Sequence, residues 1–275
     1  MSDNKRTAEE FHEDLMEQVA ELRTSQEWLD AMTAAAKFHS YSLGNWMLMW
    51  MQAERRGMTI TRPAGYRAWQ ALDRQVRKGE HGLKIFAPMT RKDDDDNVMV
   101  FGFRLATVFD VSQTDGEPLP DVGMPVLLEG EGDTTLRIAC EEMIVDEGFT
   151  VSWAPLHGPN GTTNHTTKEV KIEESIDPAQ ATKTTVHELA HVLLHADRIA
   201  ALGCRGRIEV EAESVAYVVC AAAGLDTSQY SVRYVAGWSE DTDDPAKAML
   251  ATGEVVVKAA RKILAYIGDR HLVAA

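Results

Sequence analysis

The stretch KTTVHELAHVLLHAD, residues 183–197, sets the strongest constraint on what this chain can fold into. It spaces His187, His191 and His195 at four-residue intervals and puts Glu188 directly after the first of them. Residues four apart on an α-helix share a face about 6 Å from each other. His187 and His191 can therefore both direct a ring nitrogen at one zinc ion, at about 2 Å each. Glu188 stands one step round, placed to take a proton from a metal-activated water while not ligating the metal itself. The pattern demands a helix that carries two ligands and a general base.

His195 is excluded from the same ion. It lies about 12 Å from His187 along a continuous helix at 1.5 Å per residue. An HExxHxxGxxH site recruits its third histidine by breaking the helix at a glycine, whereas here Val192, Leu193 and Leu194 intervene. The expected place for His195 is the surface or the surroundings of the ligands. A catalytic zinc wants a third protein ligand and one open position. The acidic segment RIEVEAESVAYVVC offers Glu209, Glu211 and Glu213. These alternate, so on a helix they cannot all face the metal. Glu211 shares its face with Ser214, Val215 and Val218, and spacing alone leaves the choice open.

The rest of the chain has the composition of an ordinary globular protein, 44% hydrophobic and 26% charged over 275 residues. The N-terminus lacks an apolar core, so a secretory signal is not expected. No run of 18 apolar residues suggests a membrane span. Cys140, Cys204 and Cys220 have no CxxC spacing, which points to reduced thiols in a cytoplasm and to burial as small hydrophobes.

Helical periodicity predicts helices over 8–36, about 43–56 and about 66–75. LKIFAP and the segment 98–111 read as strands, with the aspartates 93–96 as an exposed hairpin tip. Residues 112–125 have the proline, glycine and acid content of a linker. Beyond it come a helix (TLRIACEEMIVDEG), a strand (FTVSWAP) and a hairpin ending near Glu169–Ile172. A helix then opens at Asp177-Pro178, and others follow at about 208–223 and 245–267. The expected fold class is α+β, with domains over 1–125 and 126–275.

Charge is segregated. The net charge is −15, yet residues 36–92 hold eleven Lys and Arg against three acids. Seven aromatics share that window. Cationic grooves with aromatic faces bind single-stranded nucleic acid. Tyr66 and Trp69, flanked by Arg67 and Arg74, are the stacking candidates. Arg74, Arg77, Lys78 and Lys84 are the phosphate contacts expected. Trp46 and Trp50, at i and i+4 beside Met47, Leu48 and Met51, read as helix core.

HELAH followed by EAESVAYVV resembles the zincin-like (gluzincin) peptidases of the ImmA/IrrE group, whose second motif has the form E-A-N-x-F-A. The resemblance implies a zinc metallopeptidase domain with His187, His191 and Glu211 as ligands and Glu188 as the catalytic base. It puts Glu213 where that motif has asparagine. Family members act on proteins and cleave a repressor of a mobile element. Independently, YSLGNWMLMWMQ and GYRAWQALDRQVRKGEHGLKIFAP resemble the N-terminal domain of the ArdC family of antirestriction proteins. Asn45 and Gln52, and Gly65, Tyr66, Trp69, Lys78, Gly79, Glu80, Gly82 and Pro88, carry that likeness. It implies an α/β domain that binds single-stranded DNA, joined to a zincin-like domain. Two rival readings remain, a repressor-cleaving peptidase and a DNA-binding protein with a non-catalytic zinc site. His165, Tyr217 and Tyr230 are candidates for stabilising an oxyanion, and the strand at Glu169–Ile172 is a candidate edge for pairing with an extended substrate.

Overall fold

The periodicity over 8–36 is realised as two helices, α1 (Ala8–Glu21) and α2 (Ser25–Ala36), in the computed structural model. The structure describes residues 7–21, 25–36, 41–92, 98–118, 132–196, 205–225 and 244–273. The chain divides into one unit of residues 1–19 and 40–122 and another of residues 20–39 and 123–275. The expectation of one long helix heading the first domain is corrected accordingly, because α2 packs with helices of the second unit.

In the first unit, α3 (Leu43–Glu54) is apolar nearly all round and correspondingly buried, the pattern of a core helix. Ser42 caps its start by accepting the Asn45 N–H at 3.2 Å. Trp46 is buried as expected, but Trp50 is 38% exposed, which corrects its reading as core. The helix lies against a three-stranded antiparallel sheet of order β1-β4-β3, formed by β1 (Pro63–Gly65), β3 (Leu83–Lys92) and β4 (Val98–Asp110). The β3–β4 hairpin keeps one register from Leu83↔Val108 to Met89↔Gly102 and then shifts at a bulge that leaves Phe101 of β4 unpaired. Gly82 leads into it, where a Cβ would stand 2.3 Å from Thr107 Cγ2 and 2.7 Å from the Val108 carbonyl oxygen. The aspartates 93–96 lie outside the described residues.

β3 is an outer strand, and its outward backbone groups need partners. Two amides of α3 supply them. Asn45 donates from Nδ2 to the Phe86 carbonyl and accepts the Phe86 N–H at Oδ1, both at 2.8 Å. Gln52 does the same for Lys84, again at 2.8 Å in each direction. Two helical turns thus serve the edge as another strand would.

The helix α4 (Tyr66–Ala71) is shorter than expected, because the chain turns at Asp73 into β2 (Gln75–Val76). β2 pairs antiparallel with β5 (Thr114–Asp115). The linker expected from residue 112 therefore starts as ordered structure, while residues 119–131 lie outside the described residues. Asp110 and Gln113 form a capping box around the 3-10 turn Val111–Gln113.

The second unit holds a sheet of order β6-β8-β7, from β6 (Thr150–Ala154), β7 (Gly161–Asn164) and β8 (Glu169–Glu173), with β6 parallel and β7 antiparallel to β8. The segment proposed as a free edge for a substrate is therefore the central strand, paired on both sides. Helices α5 (Gly132–Asp146), α6 (Pro178–Leu194), α7 (Arg205–Ala222) and α8 (Pro245–Val273) pack around it and α2. Asp177 caps α6 through the Gln180 N–H at 3.0 Å, with Pro178 in the first turn. Cys140 and Cys220 are free thiols in the core, and Cys204 lies outside the described residues. Among the described residues, no helix is long and apolar enough to cross a membrane.

Candidate metal centre and nucleic-acid face

α6 brings its histidines onto one face, where the Nε2 atoms of His187 and His191 stand 3.1 Å apart. Glu209, from α7, faces both: its carboxylate oxygens lie 3.5 Å from His187 Nε2 and 3.8 Å from His191 Nε2. One donor atom from each of the three residues falls within 4.8 Å of the others. Ligands about 2 Å from a tetrahedral ion stand about 3.3 Å from each other, so this donor set fits a divalent cation.

Each imidazole is held through its other nitrogen, the arrangement that fixes tautomer and ring plane in metal sites. His187 Nδ1 meets Glu213 Oε2 at 3.2 Å, and Glu213 is ion-paired with Lys183. His191 Nδ1 meets His195 Nδ1 at 2.9 Å. His195 in turn meets Glu211 Oε2 at 3.1 Å, and Arg207 Nε donates to Glu211 Oε1 at 2.8 Å. His195 is thus a buried support of His191.

The third-ligand expectation needs correcting. Glu211 is fully buried, with its carboxylate engaged by His195 and Arg207. Glu209 and Glu213, four residues apart, share the face of α7 that looks at His187, and Glu211 lies between them on a different one. Its alignment with the core-facing Ser214, Val215 and Val218 is real, and that is why it packs rather than presents an oxygen with the other donors.

Glu188 is buried, and its Oε2 accepts the Thr163 hydroxyl at 2.6 Å. Burial raises its pKa, partly offset by Thr163 and by the charge of His187. The approach of β7 requires glycine: a Cβ on Gly161 would stand 2.5 Å from Glu188 Oε1 and 2.7 Å from Thr184 Cγ2. Neither Gly161 nor Thr163 was identified from sequence, since only their tertiary contact with α6 marks them. Burial lowers the pKa of His187, but the hydrogen bonds with Glu209 and Glu213 outweigh it and hold the group up at about 9. His191 is pushed down to about 3, by burial first and then by the neighbouring His187 charge. Of the oxyanion candidates, His165 stands edge-on to Phe149 at 5.4 Å and Tyr217 is buried in α7. Tyr230 lies outside the described residues.

In the first unit, Tyr66, Arg67 and Lys78 face solvent. Trp69 and Arg74 do not, and their assignment to DNA is corrected. Trp69 is fully buried and donates from Nε1 to the Phe109 carbonyl at 2.9 Å. Arg74 is a buried strut that donates to Thr114 Oγ1 at 2.9 Å and to the carbonyls of Thr114, Gly116 and Glu117. Arg77 is exposed but engaged by Glu80 at 2.7 Å and Asp115 at 3.6 Å. Lys84 spans to Thr107 Oγ1 at 2.8 Å. Two aromatics missed by the basic-window argument, Phe101 and Phe103 on β4, are 58% and 61% exposed, with Arg91 over the Phe101 ring at 5.9 Å.

An α+β chain with this sheet unit and this His/Glu centre has relatives. Residues 5–126 match the family model described as the N-terminal domain of anti-restriction factor ArdC. Over those residues the chain is similar to that domain. The metal-free and Mn(II)-bound crystal structures of antirestriction protein ArdC from plasmid R388 are each 20% identical in sequence to it. The metal-free structure superposes with a TM-score of 0.45 over 90% of this chain and 97% of that one. The Mn(II)-bound structure gives 0.50 over 89% and 96%, a likeness of fold. An uncharacterised protein of Bacillus anthracis, pXO2-81, is 24% identical over 263 residues, covering 80% of this chain and 44% of its own length. The uncharacterised protein y4eC of Sinorhizobium fredii is 34% identical over 125 residues, 40% of this chain and 39% of its own length. The chain thus spans less than half the length of these curated relatives.

Proposed function

We propose that this chain is an antirestriction protein of a mobile element. Its first domain, residues 1–125 with α2 set aside, binds single-stranded DNA, and its second, within 126–275, is a zincin-like metallopeptidase domain. The observation that carries this reading is the coexistence, in one chain, of an ArdC-type N-terminal domain and an HELAH helix whose imidazoles converge with Glu209. The ligand chemistry of two imidazoles and a carboxylate favours zinc, while the Mn(II)-bound relative supports a divalent ion more generally.

His187, His191 and Glu209 would hold the ion, and it would supply Lewis acidity to a peptide carbonyl and to the attacking water. Glu188, its pKa raised by burial, takes the water's proton and returns it to the leaving amine. Thr163 fixes the Glu188 carboxylate for that exchange. Tyr66, Arg67 and Lys78 are the solvent-facing contacts for the strand, with Arg77 and Lys84 available only by giving up their present partners. A protein substrate such as a repressor is the class that this peptidase chemistry implies.

The test is transfer of unmodified DNA into a restricting host that expresses the chain. The wild type raises transfer, and Glu188→Gln, with metal content unchanged, abolishes the gain. Full protection by Glu188→Gln would remove the peptidase from the function and leave DNA binding. No gain with the wild type would overturn the antirestriction reading.

A further inference from the structure

A cavity of about 680 Å³ opens beside Tyr66 in the first unit, bordered by Phe109 and by the β2 segment from Gln75 to Lys78. That volume lies within the usual range for small-ligand sites. The Tyr66 ring stands edge-on to Phe109, with centroids 6.4 Å apart and planes at 69°, and it remains 41% exposed. Gln75 Nε2 reaches the Tyr66 hydroxyl only at 3.4 Å, a long contact that a better acceptor can replace.

The charges around the cavity balance. Arg77 and Lys78 face Glu80 and Asp115 on its lining. Arg77 is held by Glu80 through both Nε and Nη2, at 3.0 and 2.7 Å, and Glu80 also accepts from Gln113 at 3.0 Å. Lys78 is exposed and, among the described residues lining the cavity, is the cation without an ion pair. An aromatic wall, a side-chain amide and no net charge suit a flat, uncharged ring with polar edges. A neighbouring free ammonium suits one anion beside that ring.

We infer that this cavity seats one nucleobase of the bound single strand, stacked on Tyr66 with its edge at Gln75 and the adjoining phosphate at Lys78. The inference rests on the reading of the first unit as a single-strand binder. It adds that base and backbone are held by separable groups, so that the strand is gripped at one position by its base.

The experiment compares, by fluorescence anisotropy on the full chain, a labelled thymidine 12-mer with a 12-mer of abasic sites that keeps the backbone alone. Tyr66→Ala weakens binding of the thymidine strand by about 5- to 150-fold and leaves the abasic strand unchanged. Tyr66→Phe, which keeps the ring, recovers most of the thymidine-strand affinity that Tyr66→Ala loses. Lys78→Ala weakens both strands and lowers the salt slope by about one. If Tyr66→Ala has no effect, or weakens both strands equally, the base-seating inference is wrong while single-strand binding stands. If the wild type binds neither strand, the underlying reading fails and the inference falls with it.

Discussion

The Asn45 side chain pairs with the backbone of Phe86 in both directions at 2.8 Å, and it does so on the outer strand of the first unit's sheet. An amide can donate and accept at once, which neither a hydroxyl nor a carboxylate does in that geometry. Asn45→Ala leaves the Phe86 N–H and C=O without these partners. Asn45→Asp keeps the acceptor and sets a charge against the Phe86 carbonyl. Each is expected to lower stability by about 1–3 kcal/mol, and Gln52→Ala by a similar amount. Urea unfolding followed by tryptophan fluorescence checks this; a midpoint unchanged by Asn45→Asp would show that the edge is not held by the amide.

Gly161→Ala forces a methyl into contact with Glu188 and Thr184. The expected cost is about 1–3 kcal/mol from overpacking. Thr163→Val, which keeps the volume but loses the 2.6 Å bond to Glu188, tests the hydroxyl separately. Thermal unfolding of both variants distinguishes crowding from hydrogen bonding: a stable Gly161→Ala would mean that β7 can retreat from α6.

The three alternating glutamates of α7 should behave in three ways. Glu209→Ala removes a donor from the His187–His191 pair and weakens metal binding by more than about 100-fold with little change in folding. Glu213→Gln, which loosens the hold on His187, weakens it by about 10- to 100-fold. Glu211→Gln chiefly destabilises the fold, by about 1–3 kcal/mol, because buried His195 loses its carboxylate. Calorimetric metal titration alongside melting curves separates them. Metal affinity that depends on Glu211 and not on Glu209 would reverse the assignment.

These residues also show what a sequence can convey. The convergence of His187 and His191 was legible because both imidazoles sit on one helix, where spacing alone determines the face. Glu209 was not, because its nearness to them depends on how α7 packs against α6. Helical phase singled out Glu211 as core-facing, which is correct and is the reason it is not a donor in the cluster. Arg74 and Trp69 illustrate the same limit in the first unit. Composition marks them as cation and stacking face, but around the turn at Asp73 Trp69 is buried against Phe109 and Arg74 against the segment from Thr114 to Glu117. Asn45 and Gln52 were visible as members of a family pattern, and only the sheet edge beside α3 gives that pattern a cause.

Asp110 sets an acid-sensitive point in the first unit. Burial opposes its ionisation, but the N–H groups of Ser112, Thr61 and Arg62 outweigh burial and hold the carboxyl below its usual range. A depressed folded-state value means that its stabilisation is complete above about pH 4 and is lost as pH falls through that folded value. Asp110→Asn should cost about 1–3 kcal/mol at pH 7 and flatten the acid limb of the stability profile. Urea midpoints measured from pH 7 down to pH 3 test it. A variant whose acid limb matches the wild type's would place the titrating group elsewhere.

Although the net charge is −15, the single strand is expected to be held by the first unit, where residues 40–92 carry ten Lys and Arg against three acids. Fluorescence anisotropy of one labelled strand and its duplex, titrated across a salt series, tests this most directly. Binding is expected to favour the single strand and to weaken steadily as salt rises, because phosphate contacts release counterions. Absence of binding at low salt, or equal affinity for the duplex, would contradict it.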